Sequence, residues 1–148
     1  MTSIDHVVPL LVYEDLSAAH DFLVEAFGFE SAGVYRNEEG KPVHAEVRAG
    51  TTPIWLHRVA AEHEVGSPLR GAVASSGLVV FVDDVDQHFR RAAAAGARID
   101  SEPVDQPYGQ REYGARDPEG HRWWFATPLA QLDATPAPET SPPTNRVN

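Results

Sequence analysis

The chain has 148 residues, 42% of them hydrophobic, a formal net charge of −10 and no cysteine. That length carries one domain with its own core, or two small units made by duplication. Lack of cysteine excludes disulfides, zinc–thiolate sites, iron–sulfur clusters and a cysteine nucleophile; the acidic balance argues against nucleic acid or an anionic membrane as partner, since both call for clustered Lys and Arg.

The N-terminal stretch "MTSIDHVVPLLVYEDL" lacks a basic leader, and its apolar run is interrupted by Pro9 and closed by Glu14 and Asp15. Neither a signal peptide nor a membrane span is expected, and a cytoplasmic protein is the default. Residues 6–13 read as a strand. Asp15 is then a helix N-cap, with Leu16, Ala19, Phe22, Leu23, Ala26 and Phe27 at helical spacing up to a stop at Gly28. Three strand-like segments follow at 29–36, 43–49 and 53–58, separated by "NEEGKP" and by a turn at Gly50. The stretch from 59 to 76 is long and rich in small residues, and is expected to act as a cover as well as a linker.

The pattern then repeats. Residues 77–84 read as a strand, Asp84 caps a helix carrying Val85, Phe89, Ala92 and Ala95, and Gly96 stops it; strands follow at 97–102, 110–116 and 122–126. From cap to stop is thirteen positions in the first copy and twelve in the second. The chain thus reads as α+β, with two βαβββ modules at 1–58 and 77–127 joined by a loop at 59–76. Residues 128–148 hold few large apolar side chains and many prolines, and are expected to be a disordered tail.

This duplication, with "EAFGFE" closing the first helix, "VDDVD" opening the second and "DPEG" before the last strand, resembles the vicinal oxygen chelate superfamily of glyoxalase I, extradiol dioxygenases and bleomycin-resistance proteins. "VHAEVRAG" and "QPYGQREYGARDPEGHRWWFA" are similar to its PhnB-like glyoxalase branch. The resemblance implies a cupped mixed sheet per module, a groove shared by paired modules and a homodimer. In metal-dependent members four equivalent strand positions carry ligands. By spacing these fall here on Val8, Trp55, Gly77 and Trp124, none of which can ligate a divalent cation; a two-residue slip would put His6 in place of Val8.

On this reading Trp55 and Trp124 point into the groove and stack on a ligand, while Trp123 and Phe125 alternate into the core. The plain alternative is that both tryptophans fill the core. His44 and Glu46 share one strand face, His57 shares the face of Trp55, and these three could bind a polar or cationic group, act as an acid/base pair or build an unusual metal site. Phe81, Tyr108, Arg111 and Tyr113 are further ligand contacts at the groove. Asp117, Glu119 and His121 read as turn chemistry, and His20, His63 and His88 have no partner by spacing. The leading expectation is a binding protein without metal or other cofactor, which sequesters a small aromatic antibiotic or natural product in the bleomycin-resistance manner, with the acidic balance of the chain pointing to a cationic compound. The rivals are a divalent-metal glyoxalase-like lyase or isomerase or a dioxygenase, and a metal-independent enzyme with Glu46 as base.

Overall fold

The computed structural model describes residues 2–71 and 73–134. One order of elements occurs twice. In the first module β1 (Leu10–Tyr13) leads into α1 (Leu16–Glu25), followed by β2 (Glu30–Arg36), β3 (Pro42–Ala49) and β4 (Thr52–Arg58). In the second, β5 (Gly77–Phe81) leads into α2 (Val85–Ala94), followed by β6 (Arg98–Gln106), β7 (Gln110–Arg116) and β8 (Arg122–Pro128). Each module makes its own four-stranded mixed sheet, β1-β4-β3-β2 and β5-β8-β7-β6. The α+β architecture of two βαβββ modules is as expected.

Local chemistry explains the repeat. Asp15 and Asp84 each accept a hydrogen bond from the backbone three residues on, at Ala18 and Gln87, so both helices begin on an aspartate cap. Both are followed by a glycine at positive φ, Gly28 at 77° and Gly96 at 89°, which turns the chain back toward the sheet.

Three boundaries differ most from the sequence reading. The first strand starts at Leu10 and not at residue 6, because Pro9 has no N–H for the ladder; its carbonyl still accepts from Trp55 N–H at 3.0 Å. Strand β6 runs on to Gln106, passing Pro103 on an edge where the register shifts between Ser101 and Val104. Structure also continues past residue 127. Leu129 N–H bonds back to the Gly109 carbonyl at 3.0 Å and a short helix, α3 (Leu129–Ala134), follows, so this part of the expected tail is folded; residues 135–148 lie outside the described residues.

The covered faces of the two sheets meet in one core. Leu11, Tyr13, Ala45, Val47, Ile54 and Leu56 come from the first module, Tyr113, Ala115, Trp123 and Phe125 from the second. Phe27, just past α1, joins them edge-on, 5.5 Å from the Trp123 ring and 4.8 Å from Phe125.

Polar joints across this core are concentrated on the "DPEG" turn. Asp117, only 3% exposed, accepts from the Tyr13 hydroxyl (2.6 Å), Trp123 Nε1 (3.1 Å) and the Glu119 and His121 N–H groups. Glu119, 5% exposed, accepts from Glu14 N–H (2.7 Å), Asp15 N–H (2.8 Å) and Ser67 Oγ (2.6 Å), tying the start of α1 and the linker to the second module. His121 Nε2 reaches the Val12 carbonyl at 2.9 Å. The expected turn chemistry is present, and the same side chains also bolt the modules together. Burial and the neighbouring Asp117 carboxylate push the Tyr13 hydroxyl pKa well up.

His88 makes a second joint. Its Nε2 lies 2.7 Å from the Phe27 carbonyl, which can only accept, so Nε2 carries the proton and Nδ1 accepts from the Tyr113 hydroxyl at 2.8 Å. Burial lowers the His88 pKa. His20 is likewise structural, bridging Asp21 and Ser31.

Two tests follow from these joints. Glu119→Gln turns one acceptor oxygen into a donor facing N–H or O–H groups. It should cost about 2–3 kcal/mol in chemical denaturation, and a loss below about 0.5 kcal/mol would contradict the joint. Because the folded pKa of His88 is depressed, its stabilisation is present above the unfolded value near 6.5 and lost as pH falls through the folded value. Melting curves from pH 8 to 5 should therefore fall more steeply in the wild type than in His88→Gln; equal slopes would contradict a neutral structural His88.

Candidate functional site

The sheet faces turned away from the shared core are open. On the first, alternation and register put Leu10 beside Trp55, Trp55 beside Glu46, and His57 beside His44, with Tyr35 opposite His44. Trp55 is 41% exposed and Leu10 44%. The His44 and Trp55 rings meet edge-on at 5.7 Å, and His44 Nε2 and Glu46 Oε2 are 3.0 Å apart. His57 turns Nδ1 toward the Arg58 carbonyl at 2.7 Å, and so donates there.

The second open face carries Val79 beside Trp124, Gly114 on the other side of Trp124, and Phe81, Ala126 and Glu112 further along. Val79 is 53% exposed and Phe81 60%. The two tryptophans occupy equivalent places: Leu10 pairs with Trp55 as Val79 pairs with Trp124, and each strand residue stands five before its aspartate cap. The same count makes Val8 the counterpart of Gly77, without the slip that would substitute His6.

The two indoles are seated differently. Trp124 lies flat on its sheet because glycines flank it. A Cβ on Gly77 would come within 2.5 Å of Trp124 Cζ3, and one on Gly114 within 3.2 Å of its Nε1. The Arg122 guanidinium rests on the ring, 4.7 Å from its centroid. Asp100 Oδ2 is 2.9 Å from Arg116 Nε and 3.2 Å from Arg122 Nε, but the buried Arg122 Nε makes no hydrogen bond there. Sequence reasoning passed over Arg122, Arg116 and Asp100, although Arg122 stands two before Trp124 and therefore on its face.

The structure brings together Trp55, His44, Glu46 and His57 on one face, and Trp124 and Phe81 on the other. Tyr108 is exposed at the end of the second face, where the Glu112 carboxylate raises its pKa. Arg111 and Tyr113 are corrections to the expected groove contacts. Both alternate to the opposite side of β7, where Tyr113 is fully buried against Phe125 and Arg111 is tied to Asp86 and Asp105 at 3.1 and 3.0 Å.

Among the described residues, the divalent metal that the resemblance implies for metal-dependent members finds no matching donors. Val8, Trp55, Gly77 and Trp124 offer no ligating atom, and among the described residues no three His, Asp or Glu groups come close enough to hold an ion.

The profile of the Glyoxalase/Bleomycin resistance protein/Dioxygenase superfamily matches residues 3–125. The chain belongs to that superfamily. Among solved structures it is similar to TioX from Micromonospora sp. ML1, with 36% identity, a TM-score of 0.70 and coverage of 84% of this chain and 99% of that one. An uncharacterized protein of Mycobacterium bovis is 30% identical over 128 residues, 84% of each chain. The anthracycline biosynthesis protein DauV of Streptomyces sp. (strain C5) is 33% identical over 114 residues, covering 74% of this chain and 36% of that longer one.

Gly77→Ala should lift Trp124 from its seat, at about 1–3 kcal/mol in stability, raise its quenching by acrylamide and red-shift the emission. Unchanged emission would contradict the flat seating.

Proposed function

We propose that this superfamily member captures a planar aromatic small molecule, of the kind found among antibiotics and related natural products, and holds it without chemical change. The observation that carries this reading is the equivalent pair Trp55 and Trp124, each set among exposed apolar side chains on an open sheet face. An indole face adds about 0.5–1.5 kcal/mol per aromatic partner beyond the area it buries. The similarity to an anthracycline biosynthesis protein is consistent with such a ligand, since anthracyclines are fused-ring planar compounds. In this proposal the chain belongs to the PhnB-like branch, a reading supported by the likeness of "VHAEVRAG" and "QPYGQREYGARDPEGHRWWFA" to it, and capture would take place in the cytoplasm with no metal or other cofactor.

A second copy completes the site in this reading. Within one chain both open faces are turned away from the shared core, so neither covers the other, and β1 and β5 are sheet edges. In a twofold dimer the Trp55 face of one protomer covers the Trp124 face of its partner, twice over. Exposed apolar residues on both faces, Leu10, Trp55, Val79 and Phe81, give that contact its driving force.

A second reading rests on one observation, the His44–Glu46 contact at 3.0 Å beside Trp55. It is a metal-independent enzyme in which Glu46 takes a proton from a bound substrate. Glu46→Gln separates the two: it abolishes turnover in the enzyme and leaves a capture protein's binding nearly intact.

Titration with planar fused-ring antibiotics should quench tryptophan emission in a stoichiometric, saturable way, and Trp55→Ala or Trp124→Ala should each weaken binding about tenfold or more. If such compounds leave the emission unchanged, the capture reading fails.

A further inference from the structure

The second open face is not a bare aromatic surface. Arg122 covers part of the indole of Trp124, so a ligand arriving on that side meets a guanidinium plane backed by a tryptophan. Three observations bear on what this arrangement accepts. Gly77 and Gly114 clear the floor so that the indole lies flat beneath the guanidinium. Two guanidiniums, Arg116 and Arg122, share the single carboxylate of Asp100, which leaves this corner cationic in a protein of net charge −10. The Arg122 Nε is buried and makes no hydrogen bond.

Resting on the capture reading above, we infer that Arg122 and Trp124 together form an acid-recognising half-site, selecting aromatic ligands that carry a carboxylate, or an ionised phenol or enol, on the ring. The ring stacks along the Arg122 plane and the anionic oxygens meet its N–H groups. A planar guanidinium serves both purposes at once, since it stacks on π faces and presents a donor fork to oxyanions. The overall acidity of the chain suggests a cationic ligand, but recognition at contact distance follows local charge, because charges more than a Debye length away, about 8–10 Å, are largely screened. The anionic selection resides in Arg122, with Asp100 as a competitor that holds the guanidinium until the ligand's acid takes over part of its charge.

Three probes with one ring system test this: 2-naphthoate, neutral 2-naphthalenemethanol and cationic 2-naphthylmethylammonium, each titrated by tryptophan quenching at neutral pH. The wild type should bind naphthoate about tenfold tighter than the alcohol, as one charge-assisted contact gives, and the ammonium more weakly than either. Arg122→Gln removes the stacking plane for every probe and the charge-assisted contact for naphthoate alone, so both ligands weaken and the naphthoate-to-alcohol affinity ratio should fall from about ten to about one. Asp100→Asn removes the competing carboxylate and should tighten naphthoate binding, a gain that mere structural damage does not produce. If the alcohol binds and naphthoate shows no advantage, or Arg122→Gln keeps the advantage, the acid half-site is overturned and aromatic capture stands. If none of the three probes quenches the tryptophans, aromatic capture itself falls, and the half-site with it.

Discussion

Two buried carboxylates on one short turn, Asp117 and Glu119, fix how the halves of this protein meet. Seven donors converge on them: three from the first module, one from the linker and three from the second. Buried carboxylates persist only when their acceptor capacity is filled, so this turn forms in the final arrangement only when Tyr13, Glu14, Asp15 and Ser67 are all in place. Apolar packing of Phe27 on Trp123 and Phe125 gives the joint its bulk, and the carboxylates give it direction.

That joint decides where the functional surface lies. With the helix-side faces of both sheets committed to one core, the opposite faces look outward, and what they carry is available to a ligand or a second copy. The aromatic pair then takes on different roles. Trp55 stands among His44, Glu46 and Leu10, more than two-fifths exposed. Trp124 is pressed onto its sheet by the space that two glycines leave and is topped by Arg122. One indole is a free wall, and the other is the backing of a cationic plane. In the proposed site a ligand between them would meet a polar acidic–imidazole side and a guanidinium side, an asymmetry that would orient it.

Much of this was legible in the chain, because period and punctuation carried it. The two aspartate caps and two glycine stops at nearly equal spacing reveal the duplication, and strand alternation separates Trp123 from Trp124 and pairs His44 with Glu46. The same alternation, applied strictly, removes Tyr113 and Arg111 from the groove. Both share parity with the core-facing Ala115, so the expectation that they contact a ligand at the groove ran against the alternation of the 110–116 strand. The reach of Glu119 into the first module and the partnership of His88 with Phe27 were not legible, since each spans a sequence separation that no local pattern encodes. Arg122 lay between these cases: its parity was readable, but its seat on Trp124 depends on Gly77 and Gly114 lying on neighbouring strands.

The central claim is that a complete site is made from Trp55 of one protomer and Trp124 of its partner. Mixing Trp55→Ala protein with Trp124→Ala protein under conditions of subunit exchange tests it. Half of the dimers formed are then mixed, and each mixed dimer carries one site with both tryptophans and one with neither. Binding of a planar aromatic antibiotic should return to about a quarter of the wild-type site number, at wild-type affinity. No recovery on mixing, with dimer exchange verified, would contradict a site shared between protomers.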